Sequence, residues 1–562
     1  MERPRLSYED LPPECLLRII AFLNLSEVVA LLQTSRLWNS VITSNEQVVY
    51  HQLARLCQSM DQPLGSLDDA IEGWASQESM KVQNWKRYCQ LQVATTRRWH
   101  GKGSAYSSYD VFGSAQQTEA HRIKIDTGKA LLVMTGEGET NEADRCVAVH
   151  CLRNPSRQAL FRLAQVSPYP HLEMSNGFIV FTCGRSDLLE VWRWAEDQDI
   201  DPLERGPTEQ QLLMYQDAMA TAGFQLGLTY RGELVPMGML KHQARLRASR
   251  LVYPTLCVGS EAGDHIWLWD IRTRQLTQTI DLKPCEYQRF SMLYVDVNEA
   301  HVFVATHTVS VYSRASGQCV FQLPELHLKV ASECTDLPVF NGPNGFFEES
   351  RISGYHNPSR NATSLRPYDI IRAVHVSPTG EDFVAATYRG YVLHVSGFDS
   401  VFSNNHKNFE EADNPTDSPG IFSALQSPIP NTQTKIRPEN LRISVMYAER
   451  TLSNLAYDGR KILIYGINGI SLIHLGDQSD NTFEVQTNEG LEMKLHPFPS
   501  TFIYQIPPFG SRDGEYWDCS CLQMTQDSFW VAWSTGLHDN RRPTRVKVVG
   551  MMDFAREFPN EA

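Results

Sequence analysis

Two periods divide the chain. From residue 11 to 97 apolar side chains recur three and four positions apart, as on one face of a helix, and from about residue 120 they alternate one by one, as on a half-buried strand. In the first region Leu16, Ile19, Ile20 and Leu23 make one stripe. Pro12 and Pro13 suit a first helical turn, where a missing N–H costs nothing, and Glu14 lies where the helix dipole favours negative charge. Asn24 reads as the end of this helix; Ser26 then caps a second one carrying Val28, Leu31 and Leu32, and Ser35 caps a third carrying Leu37, Trp38, Val41 and Ile42. A further helix is predicted around Asn45 to Cys57, then a turn-rich break, a capping box at Ser66 to Asp69, and a helix starting near Ser79. Val82, Trp85, Cys89 and Val93 keep one face of that last helix, and RRWHGKG at 97–103 closes the region.

The second region repeats a unit of short apolar strand, tight polar turn and second alternating strand, as in FIVFTCGRSDLLEVWRW at 178–194. Seven such units occur, with second strands starting at Cys146, Leu188, His265, Thr308, Gly390, Gly469 and Thr544. Tyr312 follows Trp269 by 43 positions, close to the roughly 40 to 45 residues of a four-stranded propeller blade. Other steps are longer, so inserted loops are expected near 195–245, 324–366, 399–440 and 476–515. The fold class expected is therefore multidomain: a small all-α region followed by an all-β propeller of about seven blades.

Composition narrows the classes. With 42% hydrophobic and 21% charged residues the chain is globular, and its 562 residues exceed one core. A net charge of -14 argues against broad attraction to nucleic acid or anionic membrane. The N-terminus lacks the apolar run of a signal peptide and no stretch is long and apolar enough to span a bilayer, so an intracellular protein, cytoplasmic or nuclear, is expected. The 12 cysteines are scattered with no pair of CxxC motifs, which points to reduced thiols and no metal site. No phosphate loop, HExxH or GxSxG occurs, so no enzyme and no cofactor is expected.

Leu11-Pro12-x-Glu14-x-Leu16-x-x-Ile19-x-x-Phe22-Leu23, with Leu31 and SRLW at 35–38, resembles an F-box, although Thr34 stands where that family usually has Val. HIWLWDIRTRQ at 265–275, with Trp269-Asp270, and VHVSPTGEDFVAATYRGYVLHVS at 374–396 resemble divergent WD repeats. The resemblance divides the chain into an F-box at 6–50, a helical linker at 51–103 and a WD-repeat-like propeller at 104–556. It implies a non-catalytic substrate receptor of an SCF-type (Skp, cullin, F-box) ubiquitin ligase. Its F-box would meet a Skp-type adaptor, and through it a cullin-RING ligase, by Leu11, Pro12, Leu16, Ile19, Ile20, Leu23, Val28, Leu31, Leu32 and Trp38. Cys15 and Phe22 fall off the stripe and are expected to pack on neighbouring helices. The three helices are too short to enclose a core alone, which favours an exposed apolar surface. The alternative is a propeller scaffold that delivers nothing to a ligase.

For the target, turns between second and third strands share one propeller face and carry Arg185, His307, Arg389, Arg541, Arg542 and Arg545. Such a ring suits an acidic or phosphorylated protein segment. Acidic turns at Glu137 to Asp144 and Glu261 to Asp264 dilute it.

Overall fold

The computed structural model describes residues 11–57, 65–103, 105–108, 111–112, 120–136, 145–154, 158–164, 166–168, 170–183, 187–197, 206–282, 292–323, 370–397, 442–448, 452–466, 469–476, 483–486, 492–495, 500–506, 518–539 and 542–556. Six helices come first: α1 (Pro13–Ile20), α2 (Leu25–Thr34), α3 (Arg36–Ser44), α4 (Glu46–Cys57), α5 (Leu67–Ile71) and α6 (Trp85–Trp99). Ser35 and Ser66 cap as expected, their hydroxyls accepting from Trp38 N at 3.3 Å and Asp69 N at 3.1 Å. The cap of α2 is Asn24 and not Ser26. Asn24 Oδ1 accepts from Glu27 N at 3.0 Å, while Glu27 Oε2 accepts from Asn24 N at 2.7 Å, a reciprocal box that satisfies two free donors. The last helix is also later than expected: Ser79–Lys81 is a 3-10 turn, and α6 starts after Asn84.

The helices share a single core. Leu16, Ile20 and Val28 pack with Ile42, Val49, Leu53, Trp74, Tyr88 and Leu91, so α1 to α3 are completed by α4 to α6 and do not stand as a separate unit.

The described strands build seven four-stranded antiparallel sheets and one two-stranded hairpin. Their first strands are Ala120–Asp126, Leu172–Ser175, Leu246–Val252, Tyr294–Val297, Ile371–Val376, Asn454–Tyr457 and Asp518–Met524. These neighbour one another in order, and the seventh returns to the first, so the sheets are the blades of a closed seven-bladed propeller around a central channel. The seven second strands of the sequence units are the third strands of the seven blades, counted from the axis. A hydrophobic cluster fills each junction; between blades 4 and 5 it holds Phe303, Val311, Phe321 and Phe383. Polar ties cross the same junctions: Trp194 Nε1 donates to Asp126 Oδ2 at 2.8 Å and Tyr457 Oη to Asp382 Oδ1 at 2.9 Å.

Closure uses a strand from before the first blade. Tyr106–Ser108 pairs with Met551–Asp553 as the outermost strand of blade 7. The expected insertions are only partly extra chain. Within 195–245 lie α7 (Glu209–Ala222), capped by Thr208, and Leu234–Lys241, which is the fourth strand of blade 2. Within 476–515 lie the hairpin of Phe483–Gln486 and Glu492–Leu495 and the fourth strand of blade 6, Ser500–Ile506. The expected loops at 324–366 and 399–440 lie outside the described residues.

Alternation of strand direction gives the propeller two distinct faces. Turns between first and second strands open on one, here the lower face; turns between second and third strands, and the starts of the first strands, lie on the other, the upper face.

Candidate functional site

Burial divides the apolar positions of the first three helices. Leu16, Ile20 and Val28 lie inside the chain's own core, which removes them from any open surface. Leu11, Leu23, Leu31, Leu32 and Trp38 are half-buried at its margin, and Pro12 is exposed. Ile19 is 44% exposed and Phe22, in the turn after α1, is 83% exposed, so Phe22 does not pack on neighbouring helices as expected, nor does the exposed Cys15. Val29 on α2 is exposed as well. The open apolar set thus sits one position off the buried stripe. A stripe read from sequence marks the face that faces the core, and what is left for a partner is its flank.

The central channel, of about 930 Å3, is the other candidate. Six cationic side chains line it, Arg122, Lys124, Arg245, Arg247, Arg250 and Arg372, against two acidic ones, Glu173 and Asp458. Halfway down, the charges neutralise one another. Lys124 Nζ donates to Glu173 Oε2 at 3.1 Å, and Arg250 Nε donates to Asp296 Oδ1 at 3.1 Å. Asp296 Oδ2 also accepts from Val376 N at 3.1 Å, and His375 Nδ1 stands 3.5 Å from it. Asp296 holds the Arg250 guanidinium well above its ordinary value.

Nearer the upper face the balance fails. Arg122 donates to the Ser520 carbonyl while its Nε finds no partner, and the one channel carboxylate beyond Glu173, Asp458, lies in a lower-face turn where Lys461 takes it at 3.1 Å. Burial, with the Arg122, Arg247 and Lys124 cations beside it, pushes the His171 imidazole down to about 3.

The turn residues expected to form a basic ring do not form one among the described residues. Arg185 and Arg541 lie outside them, and Arg542 and Arg545 are placed on the third strand of blade 7 by backbone alone. Arg389 is exposed. His307 is only 8% exposed, with Nδ1 3.3 Å from Thr306 Oγ1, so it is a packed residue and not an open contact. The channel cations were missed in the sequence because they alternate with apolar residues inside strands such as HRIKID at 121–126, where they read as an ordinary solvated face.

Residues 9–49 match the F-box domain family. They form an F-box domain. No curated protein matches the chain. Among solved structures, the β-propeller domain of Myceliophteria thermophila Cps50 (Swd1) is similar at 9% identity and a TM-score of 0.40, over 80% of this chain and 99% of that one. U3-55K is similar at 9% identity and a TM-score of 0.39, over 78% and 96%.

The F-box is fixed to the propeller through α6 and the segment before it, on the lower face. Ala75 N and Ser76 N donate to the two oxygens of Asp527, each at 2.8 Å, and Ser76 Oγ donates to Asp553 Oδ2 at 2.7 Å. Trp99 stacks on Phe554 at 3.8 Å and donates from Nε1 to Gln526 O at 2.9 Å. Arg98 Nη1 donates to Phe554 O at 3.0 Å, and His474 Nε2 lies 3.1 Å from Trp99 O. Burial and the neighbouring Asp527 push the Asp553 carboxyl up to about 6. The F-box and the basic mouth of the channel therefore sit on opposite sides of one rigid disc.

Among the described residues no helix is long and apolar enough to cross a membrane, and no cluster of His, Cys, Asp and Glu could hold a metal ion.

Proposed function

We propose that the chain is the substrate-recognition subunit of an SCF-type ubiquitin ligase, acting in the cytoplasm or nucleus. Its F-box docks a Skp-type adaptor and through it a cullin-RING ligase, and its propeller holds a protein target on the upper face. It performs no chemistry of its own; the rate gain is proximity, since a target held by one end of a stiff body meets the transfer machinery at high effective concentration. The observation that carries this reading is the exposure of Ile19 and Phe22 within a matched F-box. Two such apolar side chains are left open to water only at a cost that burial against a partner recovers, roughly 1.5 to 3 kcal/mol each. In this reading Pro12, Ile19 and Phe22 make the central contacts, and Leu11, Leu23, Leu31, Leu32 and Trp38 the margin.

The test is capture of the adaptor by the purified full chain. Ile19→Glu with Phe22→Glu should weaken capture by roughly a hundredfold or more without lowering the melting temperature, because neither side chain belongs to the core. Leu11→Ala with Pro12→Ala should weaken it less. Undiminished capture by the double Glu variant would overturn the docking surface.

A further inference from the structure

The geometry points to a second binding site, in the upper part of the central channel, for a compact polyanion: a small molecule carrying two or more phosphate or carboxylate groups, held by Arg122, Arg247 and Arg372. The site does not rest on the reading of the F-box.

Three observations carry it. The first is convergence: Arg122, Arg247 and Arg372 come from blades 1, 3 and 5, each from the start of its inner strand, so their guanidinium groups approach one axial space from three sides. The second is unmet bonding capacity. Arg122 Nε is buried with no acceptor; among the described residues neither Arg247 nor Arg372 has an ion pair, both are exposed to the channel, and Arg372 lies over the Tyr388 ring at 5.3 Å. Lys124 and Arg250, deeper in the same channel, are both neutralised, so this lack is local to the mouth. Guanidinium groups left this way are forks for planar oxyanions.

The third observation concerns size. A channel of about 930 Å3 lies within the range of small-molecule sites, roughly 300 to 1,000 Å3. The described part of the rim on blade 3 is acidic, with Glu261 and Asp264 beside the only arginine there, Arg245, which Glu261 approaches at 4.0 Å. An extended acidic chain lying across that rim would meet these carboxylates. A compact anion passing between them into the channel would not. In a chain of net charge -14, such a focused positive cavity also concentrates anions against the overall field.

The experiment is calorimetric titration of the full chain with sodium tripolyphosphate at low and moderate salt. A single saturable site is expected, weakening as salt rises. Arg247→Glu should lower affinity at least tenfold, Arg372→Gln several-fold, and Arg389→Glu, an exposed rim residue, not at all. Arg247 is exposed and makes no ion pair among the described residues, so its variant should keep the parent melting temperature. Absence of saturable binding would overturn the site. Loss of affinity in Arg389→Glu but not in Arg247→Glu would overturn it too, placing the anion on the rim; so would a poly-glutamate peptide that binds as tightly as tripolyphosphate.

Discussion

The seam under the propeller and the mouth of its channel both gather charged side chains, buried at the seam and open to the channel at the mouth, and they treat them in opposite ways. At the seam every carboxylate oxygen is met. Asp527 accepts from Ala75 N, Ser76 N and Thr525 Oγ1, and Asp553 accepts from Ser76 Oγ, Ala555 N and Arg556 N. At the mouth Arg122 keeps an unsatisfied Nε and Arg247 has no ion pair among the described residues. A buried charge with a full set of partners joins parts of the same molecule, because removing either side strands the other. A cation that meets water and no carboxylate, as Arg247 does among the described residues, adds little to the fold and stays available to the proposed anion.

That contrast can be broken from either side. The largest effect is expected at the seam: Asp527→Ala leaves two buried N–H groups without acceptors and should lower stability by about 3 to 5 kcal/mol in urea unfolding. A loss below about 1 kcal/mol would mean that the seam does not hold the F-box in place.

Acid comes next. His150, His242 and His474 are each pushed down to about 4, chiefly by burial, whereas the unfolded imidazole titrates near 6.5. Their contribution is intact above about pH 6.5 and is lost as pH falls toward 4, at roughly 2 kcal/mol each by pH 5. Asp553 has the opposite sign. Its folded value near 6 exceeds the unfolded 3.8, so its contribution is greatest below 3.8 and is lost as pH rises through 6. With His171, pushed down to about 3, four imidazoles outweigh one carboxyl, and the melting temperature should drop between pH 7 and 5. Asp553→Asn should make that drop steeper, and an unchanged slope would remove Asp553 from the balance.

The smallest effect belongs to the mouth. Arg247→Gln should change stability by less than about 0.5 kcal/mol, and a large loss would turn the mouth into a second seam.

Much of the architecture was legible because blade interiors are apolar on both faces. Third strands such as CVAVHC and VSVYS are almost wholly buried, and a run of that kind stands out in any sequence. The inner strands are less visible, since one of their faces lines the channel and carries Arg, Lys and His. Closure was invisible for a different reason: Tyr106–Ser108 is three residues long, too short to show a period, and its partner is at the far end of the chain.

The helical region shows where local rules stop. Asn24 and Ser26 are both good caps, and only the Glu27 carboxylate returning to Asn24 N decides between them. At α1 periodicity found Leu16 and Ile20 correctly as a stripe, but it carries no information on whether a stripe faces inward or outward. What buries it is α3, which packs on α1, and a core completed by Leu53, Tyr88 and Leu91 from helices farther along the sequence.

Because Ser108 and Met551 are register partners on paired strands, the ring cannot be finished until the last strand of blade 7 has been made. Six blades can form as they emerge from the ribosome, each stacked on the one before, but blade 7 must wait for its last strand and then find a segment synthesised before any blade existed. Until that moment the growing protein is an open arc with two raw edges, and the F-box is already out in solution at one of them. The pairing of that early strand with blade 7, then, is also the step that sets the distance between the two ends of the disc.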